Sequence, residues 1–142
     1  GVNSRLDALQ ATVLSFKLKY LNKFNKERQK VAHYYNNTLQ DIGWLKNPAI
    51  THNSDHVYHQ YSICLASKIN RNKFQKYLFK KGIPTMIYYP KPLHQQKAYS
   101  AYCSKSLPVS EMISKQIISL PIHPEIDSQQ MEFICSTIRK YV

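Results

Sequence analysis

From Leu6 to Leu39 apolar side chains recur at steps of three and four, a period that only a helix with one buried stripe satisfies. Leu6, Leu9, Val13, Phe16, Tyr20 and Phe24 form the stripe, and Val31, Tyr34, Tyr35 and Leu39 continue it. Leu14, Leu18 and Leu21 widen it in the first half, so that half is expected to pack on two sides. Lys23, Lys26, Arg28 and Lys30 crowd the middle with only Glu27 among them, which predicts a bend or an exposed stretch there. Gly43 supplies a C-terminal stop. A helix over residues 5–42 far exceeds the mean of about a dozen residues, so it reads as a connector or interface element.

The remaining pattern alternates between periods. A polar loop spans Asn47 to Asp55, and Val57 to Ala66 alternates as a strand does. Asn70 is placed to cap a second helix through Phe74, Tyr77, Leu78 and Phe79, closed by Lys80-Lys81-Gly82. Ile83 to Tyr89 is a β-rich run ended by Pro90 and Pro92. A third helix is expected from Val109 to about Ser119, then an extended piece from Leu120 to His123. Asp127 caps a last helix through Met131, Ile134 and Ile138. Helices and strands alternate without a glycine-rich nucleotide loop, so the expected fold is an α/β sandwich of modest size.

At 142 residues with 43% apolar content, the chain can bury one core, and residues 1–142 read as a single domain. No apolar run approaches the ~20 residues of a membrane span, so a protein without membrane partners is expected. Cys64, Cys103 and Cys135 are far apart and odd in number, which argues for reduced thiols in a cytoplasm. Twenty Lys and Arg against eight Asp and Glu give a net charge of +12, a field that attracts polyanions. With eleven tyrosines this permits a basic nucleic-acid-binding module, in which rings stack on bases. The cations are spread along the whole chain, however, and no RNP, zinc-finger or helix-turn-helix pattern accompanies them. Nucleic acid is therefore not the expected partner.

Ahead of the long helix stands Gly1-Val2-Asn3-Ser4-Arg5. A helix start exposes unpaired N–H groups and partial positive charge, so it suits an anion such as phosphate. Gly1 lets a backbone come close, Asn3 donates from its amide and Arg5 can fork onto phosphate oxygens. Ser4 followed by Asp7 also reads as a capping-box variant, so a plain helix cap is the competing reading. His56 and His59, three apart on the expected strand, point to opposite faces and make a shared metal ion improbable. His123 between prolines reads as a turn support, His33 and His52 lack a companion carboxylate, and Trp44 reads as an anchor for the helix end.

Four segments in register carry a family resemblance. They are Gly1 through Ala11, His56-Val57-Tyr58-His59-Gln60-Tyr61, Gly82-Ile83-Pro84-Thr85 through Tyr88-Tyr89-Pro90-Lys91-Pro92-Leu93-His94, and Ser119-Leu120-Pro121-Ile122-His123-Pro124. Their order resembles the DegT/DnrJ/EryC1/StrS sugar aminotransferases, over the C-terminal part of the family's length. The resemblance implies the small C-terminal domain of a fold-type I, aspartate-aminotransferase-like enzyme: a long N-terminal helix plus a small, mainly antiparallel sheet with helices. It implies pyridoxal 5'-phosphate as cofactor, a homodimer, and transfer of an amino group, usually from glutamate, to a keto group of a nucleotide-linked sugar.

The same resemblance assigns the Schiff-base lysine to a large N-terminal domain outside this chain, so the segment alone is expected to hold no catalytic residue and to be inactive. Ser15-Phe16-Lys17 resembles the start of that lysine motif but has the wrong spacing. By resemblance, Asn3 reaches the cofactor phosphate of the neighbouring subunit with Gly1 beside it, while Arg5 either assists there or holds the turn by hydrogen bonds. Tyr88, Lys91 and His94 face the nucleotide-sugar, with Tyr88 standing where many relatives have histidine. A relative that keeps the fold without catalysis, as a sensor or scaffold, is the alternative.

Overall fold

The computed structural model describes residues 5–99, 101–102 and 105–141. Asp7 opens the first helix, α1 (Ala8–Leu18), by accepting the Gln10 N–H at 2.8 Å. The N-cap is thus Asp7 itself, whereas Ser4 lies outside the described residues. The helix expected over residues 5–42 is interrupted: α1 ends at Leu18 and α2 runs Leu21–Leu39. At the junction the Lys19 and Tyr20 N–H groups turn back to Phe16 and Lys17, three residues earlier, and Tyr20 leaves helical geometry at φ −105°, ψ 1°. The break therefore falls ahead of the basic stretch. That stretch stays helical because Glu27 pairs with Lys30 at 2.8 Å, and because Arg28 and Gln29 donate across to the Val57 and His56 carbonyls.

Gly43 is not the cap that ends α2. The helix closes four residues earlier, Gln40 remains right-handed, and the chain turns through Ile42 into a two-residue strand β1 (Leu45–Lys46), which sequence periodicity does not reveal. β2 (Tyr61–Leu65) begins four residues later than the alternation suggests. Tyr58 adopts φ +47° and its N–H is taken by the His56 ring at 2.9 Å, so His56 and His59 lie in irregular chain ahead of the strand and not on it.

Asn70 caps α3 (Arg71–Lys80) by accepting the Lys73 N–H at 3.0 Å, as the sequence predicts. Gly82 at φ +79° then closes a Schellman motif, with Gly82 N–H bonded to Phe79 and Ile83 N–H to Leu78. The run Ile83 to Tyr89 forms no strand. It makes one antiparallel bridge, Met86 to Ser119, because Pro84 and Pro90 bring no N–H donors. Two short 3-10 turns, Leu93–Gln95 and Lys97–Tyr99, carry the chain toward α4 (Pro108–Gln116). The last strand, β3 (Ile117–Leu120), lies three residues before the expected extended piece, because pairing with β2 captures the β-branched Ile117 and Ile118. Asp127 and Gln130 form a full capping box on α5 (Ser128–Arg139).

The sheet is antiparallel in the order β1-β2-β3, in keeping with an α/β sandwich. Tyr61, Ile63 and Leu65 of β2 are buried on one face, against Val31, Tyr35 and Leu39 of α2, Phe74 and Leu78 of α3, and Ile134 and Ile138 of α5. Polar ties seal that layer: the Tyr35 hydroxyl donates to the Pro121 carbonyl at 3.0 Å, and that of Tyr77 to the Thr137 carbonyl at 3.1 Å. Trp44 packs edge-on against Phe74 with ring centroids 5.5 Å apart, and tilts toward Tyr141 at 5.9 Å. Helix α1 stands outside this core; none of its residues is buried.

Candidate functional site

Pro90 and Pro92 fix φ at two positions of the 88–94 segment, where the loop leaves the sheet edge. The loop and the exposed side of α4 enclose a cleft of about 740 Å³. Tyr88, Lys91 and His94, the three residues expected to face a substrate, all border it. Tyr99 and Tyr102 add two phenols that sequence reasoning did not single out, and Ile113 of α4 supplies an apolar floor. Tyr88 also borders a second, smaller cleft of about 250 Å³ shared with His59 and Thr85.

Within the large cleft His94 is held most firmly. Its side chain is 9% exposed, and its Nε2 lies 3.0 Å from Glu111 Oε1. An ionised carboxylate only accepts, so Nε2 carries a hydrogen and donates it. The same oxygen accepts the Leu107 backbone N–H at 2.9 Å and the Ser106 hydroxyl at 3.0 Å. These bonds hold the Glu111 carboxyl below the usual carboxylate range; the Leu107 N–H is the strongest cause, followed by His94 and Ser106. No sequence pattern announces Glu111, because its partner His94 lies in a loop outside any helical or strand period. At the far end of α4 the Arg71 guanidinium donates to the Ser114 carbonyl, which ties that helix to α3.

Chemically the cleft offers phenols for hydroxyl groups and aromatic faces for a ring. Lys91 adds one cation for an acidic group. Ahead of α1, Arg5 is exposed two residues before the Asp7 cap. An exposed guanidinium at that position fits a phosphate dianion, although the Asp7 carboxylate already takes one N–H of the first turn. Gly1 and Asn3 lie outside the described residues. Among the described residues no group of three or more His, Cys, Asp or Glu side chains is placed to hold a metal ion, and no helix is long and apolar enough to cross a membrane.

Residues 1–139 match the model of the DegT/DnrJ/EryC1/StrS aminotransferase family. The chain belongs to that family. It is 39% identical over 141 residues to the dTDP-3-amino-3,6-dideoxy-alpha-D-galactopyranose transaminase of Aneurinibacillus thermoaerophilus, covering 99% of this chain and 38% of that protein. It is also 39% identical over 138 residues to the UDP-2-acetamido-2-deoxy-3-oxo-D-glucuronate aminotransferase of Pseudomonas aeruginosa, covering 97% of this chain and 37% of the relative. Among solved structures it superposes on S. venezuelae DesV in complex with a ketimine intermediate, with a TM-score of 0.90 at 31% identity, over 99% of this chain and 38% of DesV. The chain thus spans less than two fifths of the length of these relatives. Aminotransferases of the DegT family are pyridoxal-phosphate enzymes.

Proposed function

We propose that this DegT-family chain is the C-terminal, small-domain part of a pyridoxal-phosphate-dependent aminotransferase that moves an amino group, usually from glutamate, onto a keto group of a nucleotide-linked sugar. The observation that carries the reading is the cleft that gathers Tyr88, Lys91 and His94 on one wall. Its mixture of phenols and a cation suits a molecule that is part sugar and part diphosphate, and the names of the two relatives, a dTDP-sugar and a UDP-sugar enzyme, support that substrate class.

The cofactor supplies an electron sink when it is bound; this chain supplies grip and placement. Asn3 donates its amide to the cofactor phosphate, Arg5 assists there, and Gly1 leaves room for the approach. These residues act across the interface of a homodimer, so that one protomer completes the cofactor site of its partner. Tyr88 and Lys91 bind the sugar and its acidic linker, while His94, fixed by Glu111, walls the cleft. The reaction runs in the cytoplasm.

In the full-length protein, absorbance of lysine-bound cofactor and glutamate-dependent amination of a nucleotide-linked keto sugar are the expected results. Asn3→Ala is expected to weaken cofactor retention across the dimer. A full-length protein that binds no cofactor sinks the catalytic reading, and unchanged cofactor affinity in Asn3→Ala removes the phosphate role of that residue.

A further inference from the structure

One carboxylate oxygen joins two parts of the cleft, the loop that carries His94 and the start of α4. Helix α4 starts at Leu107, which offers no side-chain cap, and its first helical residue, Pro108, has no N–H. Glu111, one turn in, reaches back to accept the Leu107 N–H at 2.9 Å, and so caps the helix from within. The same Oε1 accepts the Ser106 hydroxyl and His94 Nε2–H, each at 3.0 Å. The start of α4 and the 3-10 turn holding His94 are thereby fastened at one atom, with the His94 ring almost closed off from solvent. Backbone bonds inside the loop, such as Gln95 to Pro92 and Gln96 to Leu93, are local turns that shape it without anchoring it.

We propose that Glu111 is the positioning residue of the cleft: through His94 it sets the distance between the Tyr88–Lys91 wall and α4. The assignment rests on the reading of this cleft as the sugar-nucleotide site. Glu111 sits at the base of the loop and acts on the substrate only through the residues it holds.

In the full-length protein, Glu111→Ala is expected to raise amide hydrogen exchange over residues 88–99 by roughly tenfold while β2 and β3 keep their wild-type protection. In steady-state kinetics with a nucleotide-linked keto sugar, the same variant is expected to raise KM by roughly tenfold with kcat within about twofold. A residue that merely stabilised the fold would lower the active fraction, and with it kcat, and leave KM where it was. Glu111→Gln, which keeps an acceptor oxygen, is expected to recover part of the KM loss. Should Glu111→Ala fail to fold, His94→Leu cuts the bond and leaves the α4 cap in place, and the same exchange increase is expected. Wild-type exchange over 88–99, or an unchanged KM, overturns the assignment. A wild-type protein that aminates no keto sugar overturns the function proposed above, while the exchange experiment still decides whether Glu111 holds the loop.

Discussion

Cys135 shows how far burial alone moves a side chain's chemistry. It is 1% exposed among Tyr35, Tyr61 and Ile138, and desolvation pushes its thiol up to about 12, against a small opposing pull from Arg139. In the unfolded chain such a thiol loses its proton near its ordinary 9.0, whereas the folded chain keeps it. Stability from this group is therefore complete below pH 9 and drains away as pH climbs toward 12. Burial raises the Tyr35 and Tyr61 hydroxyls as well, and both add to the same alkaline loss. Denaturant midpoints measured across that pH range should fall, and Cys135→Ala should show a shallower fall than wild type without abolishing it. A slope identical to wild type would mean that the thiol ionises in the folded state as it does in the unfolded chain.

At the scale of elements, Gly82 and Gly43 separate two meanings of glycine. A Cβ at either would meet no atom within 4 Å, so sterics against neighbours do not distinguish them. Gly82 holds φ +79° and Gly43 does not occupy the left-handed region. Gly82→Ala should then cost about 1 kcal/mol in urea unfolding through backbone strain alone, and Gly43→Ala should be neutral within roughly 0.5 kcal/mol. Legibility in the sequence follows the same division. Caps whose chemistry is local, Asn70, Asp127 and the Lys80-Lys81-Gly82 end, appear where periodicity puts them. Boundaries that depend on a partner do not. β3 starts at Ile117 because β2 is there to pair with it, and the helical run breaks at Lys19–Tyr20 where no proline or glycine marks the place. The cleft divides likewise: the family resemblance pointed to Tyr88, Lys91 and His94, while Glu111, Tyr99 and Tyr102 join them only through tertiary folding.

For the whole molecule, the contrast lies between a dry core and a bare helix. Leu9 is 82% exposed and Leu18 68%, on a helix in which nothing is buried, so the two-sided packing expected for α1 is not made within the described residues. Leu9→Ser combined with Leu18→Ser should reduce binding of a hydrophobic dye by the 142-residue chain and leave its unfolding free energy within about 1 kcal/mol of wild type, since neither side chain touches the core. A large loss of stability would show that α1 is anchored more firmly than its exposure implies. The core is instrumented by its own chemistry. Its single indole, Trp44, leans on rings from α3 and from the tail of α5. Ultraviolet excitation therefore yields an emission colour that tracks the seating of those two helices, with no second fluorophore of the same kind to blur the signal and no label to attach.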